Sequence, residues 1–144
     1  MIVVDTNTIA YLYLNSEKSA QAEQLLMIEP KWIAPHLWKS EFRNVLTLYL
    51  RKNILTFDEI LVITQQAESL MLENEYEISS AHILQLVNTS NCSAYDCEFV
   101  ALAKLLNIPL ITEDKKIINE FPNIARTIDS FIAQPSFKDE TSGI

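Results

Sequence analysis

The sequence predicts an α/β fold, a sandwich built on a central, mainly parallel sheet. Short apolar runs of strand length, at residues 2–4, 32–34 and 108–112, alternate with longer stretches of helical period, the signature of strand–helix–strand units. The first run, IVV, is continuously apolar and β-branched, as in strands covered on both faces. Both Ile2–Val4 and the later PLIT segment lead directly into acidic residues, Asp5 and Asp114.

Each element has its own warrant. After Asp5, a short apolar helix is expected from Thr8 to Leu14, and a second from Glu17 to Ile28 with Ala22, Leu25 and Leu26 on one face. Pro30 ends it, and Trp32-Ile33-Ala34 forms a second strand. From His36 to Arg51, Trp38, Phe42, Val45, Leu46 and Tyr49 recur at three- and four-residue steps, an amphipathic helix. Thr56-Phe57-Asp58-Glu59 has capping-box spacing and opens a helix striped by Ile60, Ile63, Ala67, Leu70 and Met71. The short linker between these two helices predicts an antiparallel hairpin.

Glu75–Ile78 reads as a third strand. Ser79 or Ser80 caps a helix carrying Ile83, Leu84, Leu86 and Val87. Ser93 caps the next, with Tyr95, Phe99, Leu102 and Leu106 as its buried stripe and Asn107 in the left-handed position at its end. Residues 108–112 form a strand, 115–121 a short helix, and 126–128 a last strand. Residues 1–134 are expected to be one domain, and 135–144 a polar, disordered tail.

Composition narrows the chemistry. With 49% hydrophobic and 21% charged residues, the chain is that of an ordinary soluble protein. No apolar run reaches the ~20 residues a membrane span needs. Met1 leads straight into IVVD, so no signal peptide is expected. Cys92 and Cys97 are too few and too close for a disulfide framework or a zinc site; they are expected to be reduced, structural thiols of a cytoplasmic protein. The single glycine, Gly143, excludes a Walker A loop and a dinucleotide fingerprint, which both need glycine against phosphate. A net charge of −8 runs against nucleic-acid binding, which rests on Lys and Arg. Divalent ions held by acids would return positive charge where a phosphate sits.

The acids that matter are Asp5, Glu41, Asp96 and Asp114. Asp5 and Asp114 are placed at the C-terminal ends of buried strands, the edge where open α/β sheets bind ligands. Glu41 and Asp96 belong to the opening turns of helices able to fold over that edge. Four carboxylates meeting there repel one another unless cations join them, which points to Mg²⁺- or Mn²⁺-dependent phosphodiester chemistry. Each acid alone has a structural explanation: Asp5 and Asp114 as helix caps, Asp96 in the capping-box spacing of Ser93-x-x-Asp96, Glu41 as a solvated helix residue. His36 and His82 are isolated, and no serine has a His–Asp pattern around it.

VVDTNTI, SEFRNVL, SAYDCEFVALAKLLNIPLIT and the following ED together resemble the PIN-domain ribonucleases, and within them the toxins of VapBC-type toxin–antitoxin pairs. The resemblance covers residues 1–130 and implies a three-layer α/β/α sandwich. It puts Asp5, Glu41, Asp96 and Asp114 on the family's metal-binding, catalytic acids, and Asn7 and Thr112 on supporting polar positions. Lys115 and Lys116 stand where the family often has a further ligand, and Glu113 is expected to point away from the site. Implied too are cleavage of RNA to a 5′-phosphate and a 3′-hydroxyl, a Mg²⁺ or Mn²⁺ cofactor, an antitoxin laid into the groove bounded by the 36–72 hairpin so as to block the acids, and a homodimer. Tyr11, Tyr13, Trp38, Phe42 and Tyr49 are candidates for its apolar surface, and Arg43 and Lys115 for RNA contacts.

Two rivals stand beside this reading. A phosphoryl-transfer domain also places Asp at a strand end, but a dehalogenase-type site wants Asp where Asn7 stands, and a receiver-type site wants a pair of N-terminal acids. A catalytically silent PIN-like scaffold would suit the acidic balance.

Overall fold

The structure is a computed structural model and describes residues 1–135. Residues 136–144 of the expected tail lie outside the described residues. Five strands are present: β1 (Ile2–Val4), β2 (Trp32–Pro35), β3 (Glu75–Tyr76), β4 (Leu110–Ile111) and β5 (Ala125–Arg126). Between β1 and β2 come α1 (Thr6–Tyr13) and α2 (Ser19–Ile28); between β2 and β3, α3 (Leu37–Arg51) and α4 (Phe57–Met71). Then α5 (Ser80–Asn88) and α6 (Ala94–Leu106) lead to β4, α7 (Lys115–Glu120) to β5, and α8 (Ile128–Ala133) follows.

The strand order is β3-β2-β1-β4-β5, and all four pairings are parallel. Every residue of β1, β2 and β4 is buried, so both sheet faces are covered, as the unbroken apolar runs require. The fold is therefore an α/β sandwich. Helix α6 packs on β1, β2 and β4, while α3 and α4 pack on β2 and on each other. Its buried run from Phe99 to Ala103 seats α6 on the sheet.

The order of strands matters more than their number. From β1 the chain steps to β2 and β3 on one side, then returns to place β4 on the other side of β1. Adjacent crossovers therefore diverge between β1 and β4, and a crevice opens at the carboxyl ends of those two strands. This is the topological switch point, where open α/β sheets take their ligands.

Local chemistry sets the helix ends. The Thr56 side chain accepts from Glu59 N and the Glu59 carboxylate accepts from Thr56 N, a complete capping box. Ser79 and Ser93 cap α5 and α6. Asn107 adopts φ 54°, ψ 49° at the end of α6, a left-handed conformation that Asn tolerates and β-branched residues resist. Asn107→Val is accordingly expected to lower unfolding stability by about 1–2 kcal/mol, and Asn107→Gly to leave it unchanged or raise it. Urea unfolding followed by circular dichroism checks both, and a Val variant as stable as the parent would refute the argument.

Several expectations shift. Helix α1 starts two residues earlier, at Thr6, because Asp5 itself caps it by accepting from Thr8 N. The last strand is Ala125–Arg126, and a helix not foreseen follows it, capped by Thr127 and held by buried Ile128 and Phe131; six residues are too few for a helical period to show. Tyr95 is not in the buried stripe of α6 but 64% exposed, since the helix's first turn overhangs the sheet edge. Trp38 and Phe42 are wholly core, and Trp38 Nε1 donates to Glu75 Oε2 at 2.7 Å. Within the α3–α4 hairpin the exposed apolar residues are instead Leu48, Leu50, Ile54, Phe57, Leu61 and Val62, towards its turning end. Both cysteines are free and buried.

Candidate active site

At the switch point the first acid is built from β1. Asp5 follows Val4, whose register partner is Ile111 of β4, so the residues after the two strands face each other. Asp5 Oδ1 accepts from Thr8 N at 2.9 Å and Thr8 Oγ1 at 2.8 Å, and Oδ2 from Thr112 Oγ1 at 2.5 Å. Thr112 Oγ1 in turn accepts from Asp114 N at 3.1 Å. Buried Thr112 is thus the tie between the acids of β1 and β4. Enclosure pushes the Asp5 carboxyl above its ordinary value, against the pull of these hydrogen bonds.

Asp114 caps α7, its Oδ1 accepting from Lys116 N and Ile117 N at 2.9 and 3.2 Å. Capping α7 uses only Oδ1, and no described residue donates to the other oxygen. Glu41 lies in the second turn of α3 rather than the first, and its Oε1 accepts from Thr6 Oγ1 at 2.6 Å. Partial burial raises the Glu41 pKa, the charges of Asp96, Asp5 and Glu98 raise it further, and Thr6 opposes them. Asp96 sits in the first turn of α6, its N–H on Ser93 Oγ at 3.0 Å. Burial and then the charge of Asp114 push its pKa up, while Ser93 and Lys116 pull it down.

All four acids line one cleft of about 440 Å³. Asn7 lines it as well, and Thr112 supports it from beneath through Asp5. Sequence reasoning passed over Thr6, Thr8, Ser40, Asn44 and Tyr95. For the two threonines a signal existed: hydroxyls one and three residues after Asp5, at the opening of a helix. Arg43 and Lys115 are exposed and lie outside the cleft lining. Glu113 turns away, as expected: its Oε1 takes Lys18 Nζ at 3.2 Å and its Oε2 takes Ile128 N at 2.9 Å.

The donor set is hard oxygen throughout, which suits Mg²⁺ or Mn²⁺ and not zinc. Among the described residues no three His, Cys, Asp or Glu side chains are arranged to hold a metal ion. Mg²⁺ does not need such a cage, since it keeps several waters and takes one or two carboxylates. No acid of the cleft has an ion-pair partner within 4 Å among the described residues. The residues present fit a hydrated divalent cation.

The sequence profile of the PIN domain family matches residues 2–125, a span that contains all four acids. The chain belongs to the PIN domain family. It is also 30% identical over 132 residues to Ribonuclease VapC3 of Pyrobaculum aerophilum, covering 84% of this chain and 95% of that protein. Among solved structures, this PIN domain is similar to PAE2754 from Pyrobaculum aerophilum, with TM-score 0.73, 15% identity and 92% and 87% of the two chains covered. FitAcB from Neisseria gonorrhoeae gives TM-score 0.71 at 16% identity over 89% and 98%. A toxin–antitoxin complex from Klebsiella pneumoniae gives 0.65 at 20% over 89% and 98%. At such identities the structural likeness speaks to fold.

Proposed function

We propose that this PIN domain is a divalent-cation-dependent endoribonuclease and the toxin of a toxin–antitoxin pair. One observation carries the reading: four carboxylates, from the cap of α1 just after β1, from α3, from α6 and from the cap of α7, line one cleft at the switch point. The ribonuclease relative and the toxin–antitoxin neighbour support it. Asp5, Asp96 and Asp114 would hold Mg²⁺ or Mn²⁺, which when bound polarises a phosphate oxygen and makes water more acidic.

The chain's own residues do the rest. Thr8 and Thr112 fix both oxygens of Asp5, so its carboxylate is presented to the cleft in one orientation. Thr6 holds Glu41 by Oε1 and leaves Oε2 to accept a proton from the attacking water. In-line attack leaves a 5′-phosphate and a 3′-hydroxyl. With 1 mM Mn²⁺, a mixed-sequence single-stranded RNA is expected to be cut, and excess EDTA to stop the reaction; cutting that survives EDTA overturns the mechanism.

The same reading includes an antitoxin lying along the α3–α4 hairpin, a homodimer, and a cytoplasmic site of action. Exposed Leu48, Ile54, Phe57, Leu61 and Val62 supply apolar surface there for a protein partner. No helix among the described residues is long and apolar enough to cross a membrane. A silent PIN scaffold is favoured by one observation, the lack of a preassembled three-ligand cage. Calorimetry separates the two, because a scaffold has no tight Mn²⁺ site.

A further inference from the structure

Glu113 does not line the cleft, yet both of its carboxylate oxygens are taken. Oε1 accepts from Lys18 Nζ at 3.2 Å and Oε2 from Ile128 N at 2.9 Å. Lys18 caps the start of α2 and Ile128 opens α8, and those two helices pack on each other. One carboxylate therefore ties the end of β4 to elements 95 and 15 positions away in the chain. An exposed ion pair would contribute little. This one is partly buried, and its carboxylate is shared with a main-chain amide.

The next residue is Asp114, whose own carboxylate bonds run to α7, from Lys116 N and Ile117 N to Oδ1. Helix α7 has six residues, buries Ile117 alone and packs mainly on β5. So short a helix does not hold itself in place. Capping it cannot by itself fix where the Asp114 carboxylate stands relative to Asp5 and Asp96. On one side, the Thr112 hydroxyl links the Asp114 amide to Asp5. On the other, Glu113 anchors the same stretch to α2 and α8. Side chains alternate along an extended segment, so holding Glu113 on the helix side turns Asp114 to the cleft.

We infer that Glu113 is a positioning residue: through Lys18 and the Ile128 amide it locks the end of β4 so that Asp114 can meet a divalent cation together with Asp5 and Asp96. The inference rests on the metal-dependent reading of the cleft and adds to it a side chain that faces away from both cation and RNA. Its effect passes through the backbone to Asp114.

Calorimetry with Mn²⁺ and hydrogen exchange in EDTA test this on the full chain. Glu113→Ala removes both bonds and is expected to weaken Mn²⁺ binding about 10-fold, the lower end of what losing support for a metal ligand costs. Glu113→Gln keeps a neutral acceptor for Ile128 N, and Lys18→Met leaves that bond intact. Each is expected to weaken Mn²⁺ binding about 3-fold, because charged hydrogen bonds are about twice as strong as neutral ones. If Glu113 acted only by its negative charge, Ala and Gln would lose equally and Lys18→Met would bind Mn²⁺ more tightly; either result overturns the inference. Without metal, the amides of Ile117 and Ile118, both bonded to Asp114, are expected to exchange faster in Glu113→Ala. The Thr8 amide, bonded to Asp5, keeps its rate, and acceleration at all three would mark general destabilisation and overturn the role. Excess Mn²⁺ is expected to restore RNA cleavage to Glu113→Ala with KM for RNA unchanged. Should that variant fail to fold, the direction of the Lys18→Met effect carries the test. Mn²⁺ bound equally by Glu113→Ala and unaltered protein sinks the positioning role alone. Mn²⁺ binding that depends on Glu113 in a protein that never cuts RNA sinks the ribonuclease reading alone, and no Mn²⁺ binding at all sinks both.

Discussion

Asp5→Asn is expected to reduce Mn²⁺-dependent RNA cleavage by at least ~100-fold, since even residues that only support metal ligands cost 10–100-fold. The same variant should fold at least as stably as the unaltered chain when no metal is present. Asn caps helices as well as Asp does, so the bond from Thr8 N that opens α1 survives. Thr112 Oγ1 has a second lone pair with which to accept from the new amide. What disappears is an enclosed carboxylate whose ionisation burial disfavours and whose charge presses on Glu41. Cleavage assays and thermal melts in EDTA check the two halves. Retained activity would remove Asp5 from the chemistry; a large loss of melting temperature would make it a structural cap and nothing more.

The second large effect is the thermal response to metal and its dependence on pH. Burial, with neighbouring negative charge, raises the carboxyl pKa values of Asp5, Glu41 and Asp96. Each group therefore binds its proton more tightly in the folded chain than in the unfolded one. Their contribution to stability is complete below the unfolded value, about 4, and is lost as the pH rises through the raised values. At pH 7 the metal-free protein carries this penalty, and a cation bound only by the folded state removes it. Mn²⁺ at 100 times its Kd adds about 2.7 kcal/mol, a rise in Tm of roughly 5–10 °C for a chain of this length. The rise is expected to be larger at pH 7 than at pH 5, where protons compete for the same oxygens, and absent in Asp5→Asn. Differential scanning calorimetry at both pH values measures it. No shift with Mn²⁺, or a larger one at pH 5, would contradict the site.

Much of this was legible beforehand because the signals are local. Strands β1 and β2 announce themselves as unbroken apolar runs, and Thr56, Ser79 and Ser93 mark helix starts by side-chain bonds to amides three residues on. Asn107 marks its helix end by adopting the left-handed backbone conformation. Elements too short for a period were not legible: α8 spans six residues and β5 two. Tyr95 misled for a different reason. Its spacing from Phe99 is that of a buried face, but periodicity describes the helix, not where the sheet beneath it ends.

The site divides along the same line. Residue types and order, together with the family resemblance, singled out Asp5, Glu41, Asp96 and Asp114 as candidates that the fold brings to one cleft, because a strand end and a helix start are local events that sequence encodes within a few residues. Sequence could not show that Thr112 bridges Asp5 to Asp114, that Thr6 takes one oxygen of Glu41, or that Glu113 serves Lys18 and α8. Those partners lie 35 to 107 positions apart for Thr6–Glu41 and Asp5–Thr112. Only the strand order, with β4 returning beside β1, brings them within bonding distance. Local propensity is written along the chain, whereas a cleft exists only after the chain has crossed itself.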